Sequence, residues 1–120
     1  MTQERLITQI DHARAGKITP QMEAVAAKEH KTPEEIRAGV AKGCIAIPAN
    51  IHHAALSPEG VGEGMRTKVN VNLGISGDLM NAEMEFETVR TAIELGAEGI
   101  MDLSNHGKTR DFRKQLIDMS

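Results

Sequence analysis

Arg66-Thr67-Lys68-Val69-Asn70-Val71-Asn72-Leu73-Gly74, followed some twenty-five residues later by Ile100-Met101-Asp102-Leu103-Ser104, decides the fold class. From Lys68 to Leu73 apolar and polar residues alternate. Val69, Val71 and Leu73 fall on one face, and Lys68, Asn70 and Asn72 on the other, the period of two that marks a strand. Between the two stretches, Asn81 to Leu95 places Phe86, Val89, Ala92 and Ile93 at helical spacing and stops at Gly96. Ile100 to Leu103 reads as the next strand and Thr109 to Met119 as the next helix. Strand, helix, strand, helix predicts parallel pairing through crossover connections. In barrels and doubly wound sheets the working residues lie at the carboxyl ends of such strands. Here those ends carry Asn72-Leu73-Gly74 and Met101 to Ser104. Two parallel strands leave open edges and a bare face, so a complete sheet needs more strands than these.

Toward the amino terminus the pattern is helical. Leu6 to Arg14 reads as a short helix ended by Gly16, and Thr19-Pro20 offers a hydroxyl cap and proline opening for a second, running to about Lys28. Thr32-Pro33-Glu34-Glu35 predicts a capping box at the start of a third helix, closed by Gly43. Cys44 to Ile47 is a brief apolar strand stopped by Pro48. Ala49 to Met65 reads as a loop, with His52-His53 and glycines at 60, 62 and 64. The expected organisation is a helical region over residues 1–65, with a short strand and a glycine-rich loop, and two βα units over 66–120.

Composition narrows the function classes. Two phenylalanines are the only aromatics among 120 residues, so packing relies on aliphatic residues and seven methionines. A net charge of −3 with scattered basic residues gives no electrostatic footprint for nucleic acid or an anionic membrane. The amino terminus has no unbroken apolar run and no stretch reaches the length of a membrane span, so a cytoplasmic protein is expected. The single cysteine, Cys44, cannot form an internal disulfide or hold an iron–sulfur cluster alone, and its flanks predict a buried small hydrophobe.

Candidate residues each carry a chemical and a structural reading. Adjacent histidines project differently, so His52-His53 reads as structural more readily than as a metal pair. The GxGxG run precedes a strand rather than opening a helix, which favours a close-turning loop over a phosphate cradle. Asp102 beside Ser104 invites acid–base chemistry, but no partner base is assignable and a strand-end Asp commonly caps a helix. Asn105 to Thr109 could meet an anion at a helix start or simply cap it. Asn72 could bond a neighbouring loop or a ligand, and Met101 could be core filler or pack against a flat ring.

The ordered series ITPQMEAVA (18–26), IPANIHH (47–53), GVGEGMRTKVNVNLG (60–74) and IMDLS (100–104) resembles the amino-terminal part of the ThiC superfamily. The resemblance implies the first two βα units of a TIM-type barrel, incomplete in this chain, within a usually homodimeric radical-SAM enzyme that rearranges 5-aminoimidazole ribonucleotide. It implies S-adenosylmethionine and a [4Fe–4S] cluster as cofactors, with a second metal site, and a 5′-deoxyadenosyl radical that abstracts hydrogen from the ribonucleotide. The family's cysteine cluster and metal histidines have no counterpart here, so this polypeptide alone is expected to lack radical activity and bind no metal. Carried over by motif, the family's substrate-binding asparagine falls on Asn72 and its methionine on Met101. The wording NVNLGIS and MDLSNHGKTRDFR, against NANIGTS and MDLSTGGD in the thiamine branch, leans toward 5-hydroxybenzimidazole synthase over phosphomethylpyrimidine synthase. The competing expectation is a non-catalytic binding or oligomerisation module derived from the same family.

Overall fold

The computed structural model describes residues 7–74, 82–105 and 109–120. The expected helix starts at Leu6 and Asn81, and the anion-binding reading of His106, Gly107 and Lys108, lie outside the described residues. Two compact units are formed, one by the residues up to Asn50 together with Ser57–Thr67, the other by Ile51–Leu56 and the residues from Lys68 onward.

The first unit holds helices α1 (Gln9–Arg14), α2 (Pro20–Glu29) and α3 (Pro33–Ala41) and strands β1 (Ile45–Ala46) and β2 (Val61–Gly62). Each helix starts where a threonine hydroxyl can take a free backbone amide. Thr32 accepts from the Glu35 amide while the Glu35 carboxylate takes the Thr32 amide at 2.7 Å, the expected capping box. Thr19 accepts from Met22 with Pro20 in the first turn. Helix α1 begins at Gln9 rather than at Leu6, because Thr8 and Asp11 form a second capping box. The T-x-x-D spacing carries that signal with aspartate in place of the usual glutamate.

The three helices close on one another around Ala13, Met22, Val25, Ala26, Ile36 and Val40, joined by Ile45 and Ile47. Arg37 pairs with Glu34 and donates to the Ala13 carbonyl at 2.7 Å, tying α3 to the end of α1. Lys28 Nζ binds Ser57 Oγ, the Pro58 carbonyl and Glu59 Oε1, all within 2.8 Å, and so holds the returning loop against α2.

Two expectations are corrected in this unit. The stretch read as loop contains β2, which pairs antiparallel with β1, Ile45 opposite Gly62 and Ala46 opposite Val61. A two-residue strand in a glycine run has no readable period. Gly62 sits at φ 145°, and a Cβ there would stand 2.1 Å from the Cys44 carbonyl oxygen, so the run serves close backbone approach. Cys44, expected buried, is exposed. Alternation along this segment turns Ile45 and Ile47 inward and Cys44 and Ala46 outward.

The second unit holds β3 (Asn70–Leu73), α4 (Ala82–Glu94), β4 (Gly99–Asp102) and α5 (Thr109–Met119). The strands pair in parallel, as expected, with Val71 opposite Ile100 and Asn72 opposite Met101. Leu73, Val89, Phe112 and Leu116 form its buried cluster, and Phe86, Ile100 and Met119 pack around it. The two phenylalanine rings meet here, centroids 5.2 Å apart. Val69 departs from the alternation reading: it precedes β3 and is 60% exposed. The architecture is mixed α/β, helices alternating with strands and the parallel sheet unclosed, as in part of a TIM-type barrel. Among the described residues no helix is long and apolar enough to cross a membrane.

Candidate functional site

The parallel pair β3–β4 has one face under helices and one face open. Because side chains alternate, Val71, Leu73 and Ile100 turn toward α4 and α5, while Asn70, Asn72 and Met101 stand on the opposite face. Asn72 and Met101, singled out separately in the sequence, are register partners on that open face. Asn72 is exposed and Met101 is 49% exposed, so neither is core filler within this unit. The Asn72 amide is oriented by its neighbour, since Asn70 Nδ2 donates to Asn72 Oδ1 at 2.8 Å. That contact uses Oδ1 as an acceptor, and the Nδ2 of the same amide is a donor. A polar amide beside a polarisable thioether can bond and cover one edge of a flat heterocycle.

The acid–base reading of Asp102 does not survive the geometry. Its Oδ1 accepts from the Ser104 amide at 2.9 Å and from the Ser104 hydroxyl, and its Oδ2 accepts from Arg113 Nε at 2.6 Å. Burial alone would raise its pKa, but the Ser104 donors and the Arg113 guanidinium outweigh it and hold the carboxyl below the ordinary aspartate value. Asp102 is therefore an ionised acceptor at neutral pH, tied to the residues that follow β4.

His52 and His53 lie in the Ile51–Leu56 segment, His52 exposed and His53 half-buried. Among the described residues no group of three or more His, Cys, Asp or Glu side chains could hold a metal ion. A [4Fe–4S] cluster draws on several thiolates, and this chain has one cysteine. Among the described residues the donor set does not fit the cluster or the second metal site that the resemblance implies. In the first unit, Lys31, Glu35, Gly39, Lys42, Cys44 and Met65 help line an open groove of about 350 Å³. Its Glu35 carboxylate is already committed to the α3 cap.

Two positions with site geometry were missed in the sequence. Glu85, 9% exposed, accepts from the Gly74 amide at 3.3 Å, and Arg113 reaches from α5 to the end of β4. Glu85 precedes the apolar stripe that begins at Phe86 and reads as a solvated helix residue. Arg113 lies eleven residues beyond Asp102, a separation that no local spacing rule connects.

The family model described as the radical SAM ThiC family matches residues 8–120. A phosphomethylpyrimidine synthase of Alkaliphilus metalliredigens (strain QYMF) is 60% identical over 113 residues, covering 94% of this chain and 26% of that protein. Phosphomethylpyrimidine synthases of Clostridium botulinum are 56% identical in strain Hall and 55% in strain 657, with the same coverage. The chain thus spans about a quarter of the length of the curated relatives it matches. These names do not back the expected lean toward the benzimidazole branch. At 60% identity many positions still differ between proteins, so a few altered motif residues carry no branch information.

Proposed function

The chain belongs to the radical SAM ThiC family, and from that premise we propose that it is the amino-terminal part of a phosphomethylpyrimidine synthase, acting on 5-aminoimidazole ribonucleotide in thiamine pyrimidine synthesis. The observation that carries the reading is 60% identity to a phosphomethylpyrimidine synthase over nearly the whole chain. The pairing of Asn72 with Met101 on one open sheet face supports it. In this reading residues 66–120 are the first two βα units of the barrel. The Asn72 amide donates to a ring nitrogen or ribose oxygen of the ribonucleotide, and the Met101 thioether packs on the imidazole. The radical source is S-adenosylmethionine bound to a cluster whose thiolates are not residues of this chain. Assembly as a homo-oligomer belongs to the same proposal.

The test is calorimetric titration of the full-length protein with 5-aminoimidazole ribonucleotide. Asn72→Ala removes a hydrogen bond worth about 1 kcal/mol, which weakens binding roughly five- to tenfold, and Met101→Ala acts in the same direction. Failure of the wild-type protein to bind the ribonucleotide, or unchanged affinity in both variants, would sink the assignment.

A further inference from the structure

We propose that Asp102 and Arg113 form a strand-end latch that fixes where Met101 and Asn72 stand on the open face, which makes both of them positioning residues for the ribonucleotide. The proposal deepens the function argued above and rests on it.

The two parallel strands end in one stitched structure. The Leu103 amide donates to the Leu73 carbonyl at 2.7 Å, carrying the pairing one residue past β4. Gly74 lies so close that a Cβ there would stand 2.7 Å from the Ser104 nitrogen and 2.8 Å from the Leu103 carbonyl carbon. Each end is then tied to the helix that follows its own strand. Glu85 of α4 takes the Gly74 amide beyond β3. Beyond β4, Arg113 of α5 donates from Nε to Asp102 Oδ2 at 2.6 Å and from Nη2 to the Ser104 carbonyl at 3.0 Å. Ser104, 7% exposed, closes the loop by donating its amide and hydroxyl to Asp102 Oδ1.

Docking of α5 onto the sheet does not need this bridge, because Phe112 and Leu116 already bury themselves there. What the bridge determines is the direction of one residue. Asp102 faces the helices and Met101, its neighbour in the strand, faces away. Holding the Asp102 side chain therefore holds the pleat that presents Met101, and through the register pair it holds Asn72 as well. A planar guanidinium suits the task, since its fork binds a side-chain carboxylate and a backbone carbonyl at once.

The experiment uses the full-length holoenzyme with [¹³C]methyl-methionine, the Met101 signal being assigned through Met101→Leu. In Asp102→Asn and Arg113→Leu the Met101 methyl resonance shifts while that of Met22, buried in the other unit, does not. KM for the ribonucleotide rises roughly three- to tenfold, no more than in Asn72→Ala, with kcat changed less. Arg113→Lys keeps the charge but not the fork, and restores only part of the affinity. Should Asp102→Asn fail to fold, Ser104→Ala removes a single donor and gives a smaller shift of the Met101 signal. An unmoved Met101 resonance in the folded variants overturns the latch. So does a moved resonance with KM unchanged. A moved resonance in a protein whose wild-type form does not bind the ribonucleotide overturns the function instead, and leaves the latch standing.

Discussion

The two units contain similar elements and finish differently. In the first, three short helices and β1 surround one cluster, with Met22, Val25 and Ile36 fully buried. In the second, two helices cover one face of a two-stranded parallel sheet, and the other face presents Asn72, Met101 and Leu103, the last 58% exposed. Short helices can bring their apolar stripes together from several directions. A parallel sheet has two faces, and one βα layer covers only one of them. The open face is where apolar and amide side chains stand without a packing role, and that is the chemistry a ligand can use.

The contrast is most open to challenge through the cores. Phe112→Ala in the second unit should cost about 4 kcal/mol, and Ile36→Ala in the first about 3 kcal/mol, because each leaves a cavity in a closed cluster. Denaturant unfolding followed by far-UV circular dichroism measures both, the chain having neither Trp nor Tyr. Met101→Ala should fall within about 0.5 kcal/mol of wild type. A Met101 cost as large as that of Ile36 would erase the distinction between closed and open sides.

Gly62→Ala comes next, at about 3 kcal/mol, from the positive φ and the clash with the Cys44 carbonyl. Hydrogen exchange at the Glu63 amide, which donates to that carbonyl, reads the loss directly. Thr32→Ala should cost about 1 kcal/mol by removing the α3 cap. Thr32→Ser keeps the hydroxyl and should stay near wild type, so an equal loss there would show that the hydroxyl is not what matters.

The smallest effect is acid sensitivity. Hydrogen bonds from Thr8 and from Thr32 hold the Asp11 and Glu35 carboxyls below their ordinary values. Asp102 is held low against its burial by Ser104 and Arg113. A carboxyl whose folded value is depressed adds stability above its unfolded value, and loses it as pH falls through the folded one. Stability should therefore be flat near neutrality and decline below about pH 4. Exchange at the Thr8, Thr32 and Ser104 amides, which donate to those carboxylates, should rise first. A decline beginning above pH 5 would mean that these carboxyls do not set the acid limit.

Much of this was legible because it is local. The Thr32–Glu35 box, the proline openings of α2 and α3, and the alternation through Leu73 depend on residues a few positions apart. The Thr8–Asp11 box was equally local, and was passed over for its aspartate. What escaped was non-local or without period. β2 is two residues long, Glu85 meets Gly74 from eleven residues away, and Arg113 reaches Asp102 from another element. Cys44 was misjudged because apolar flanks predict a buried neighbourhood but not which side of the strand faces it. The branch of the family was misjudged for a different reason, since motif wording varies among relatives that share a name.

By itself the sequence determined the identity and order of the elements other than β2, and the family, because hydrophobic period, capping chemistry and motif order are properties of neighbouring residues. Tertiary structure alone decided that Asn72 and Met101 face one another, that Cys44 points outward and that Asp102 is an anchored anion. Those outcomes depend on strand register and on which helix returns over which face, and register is set by contacts between residues distant in the chain.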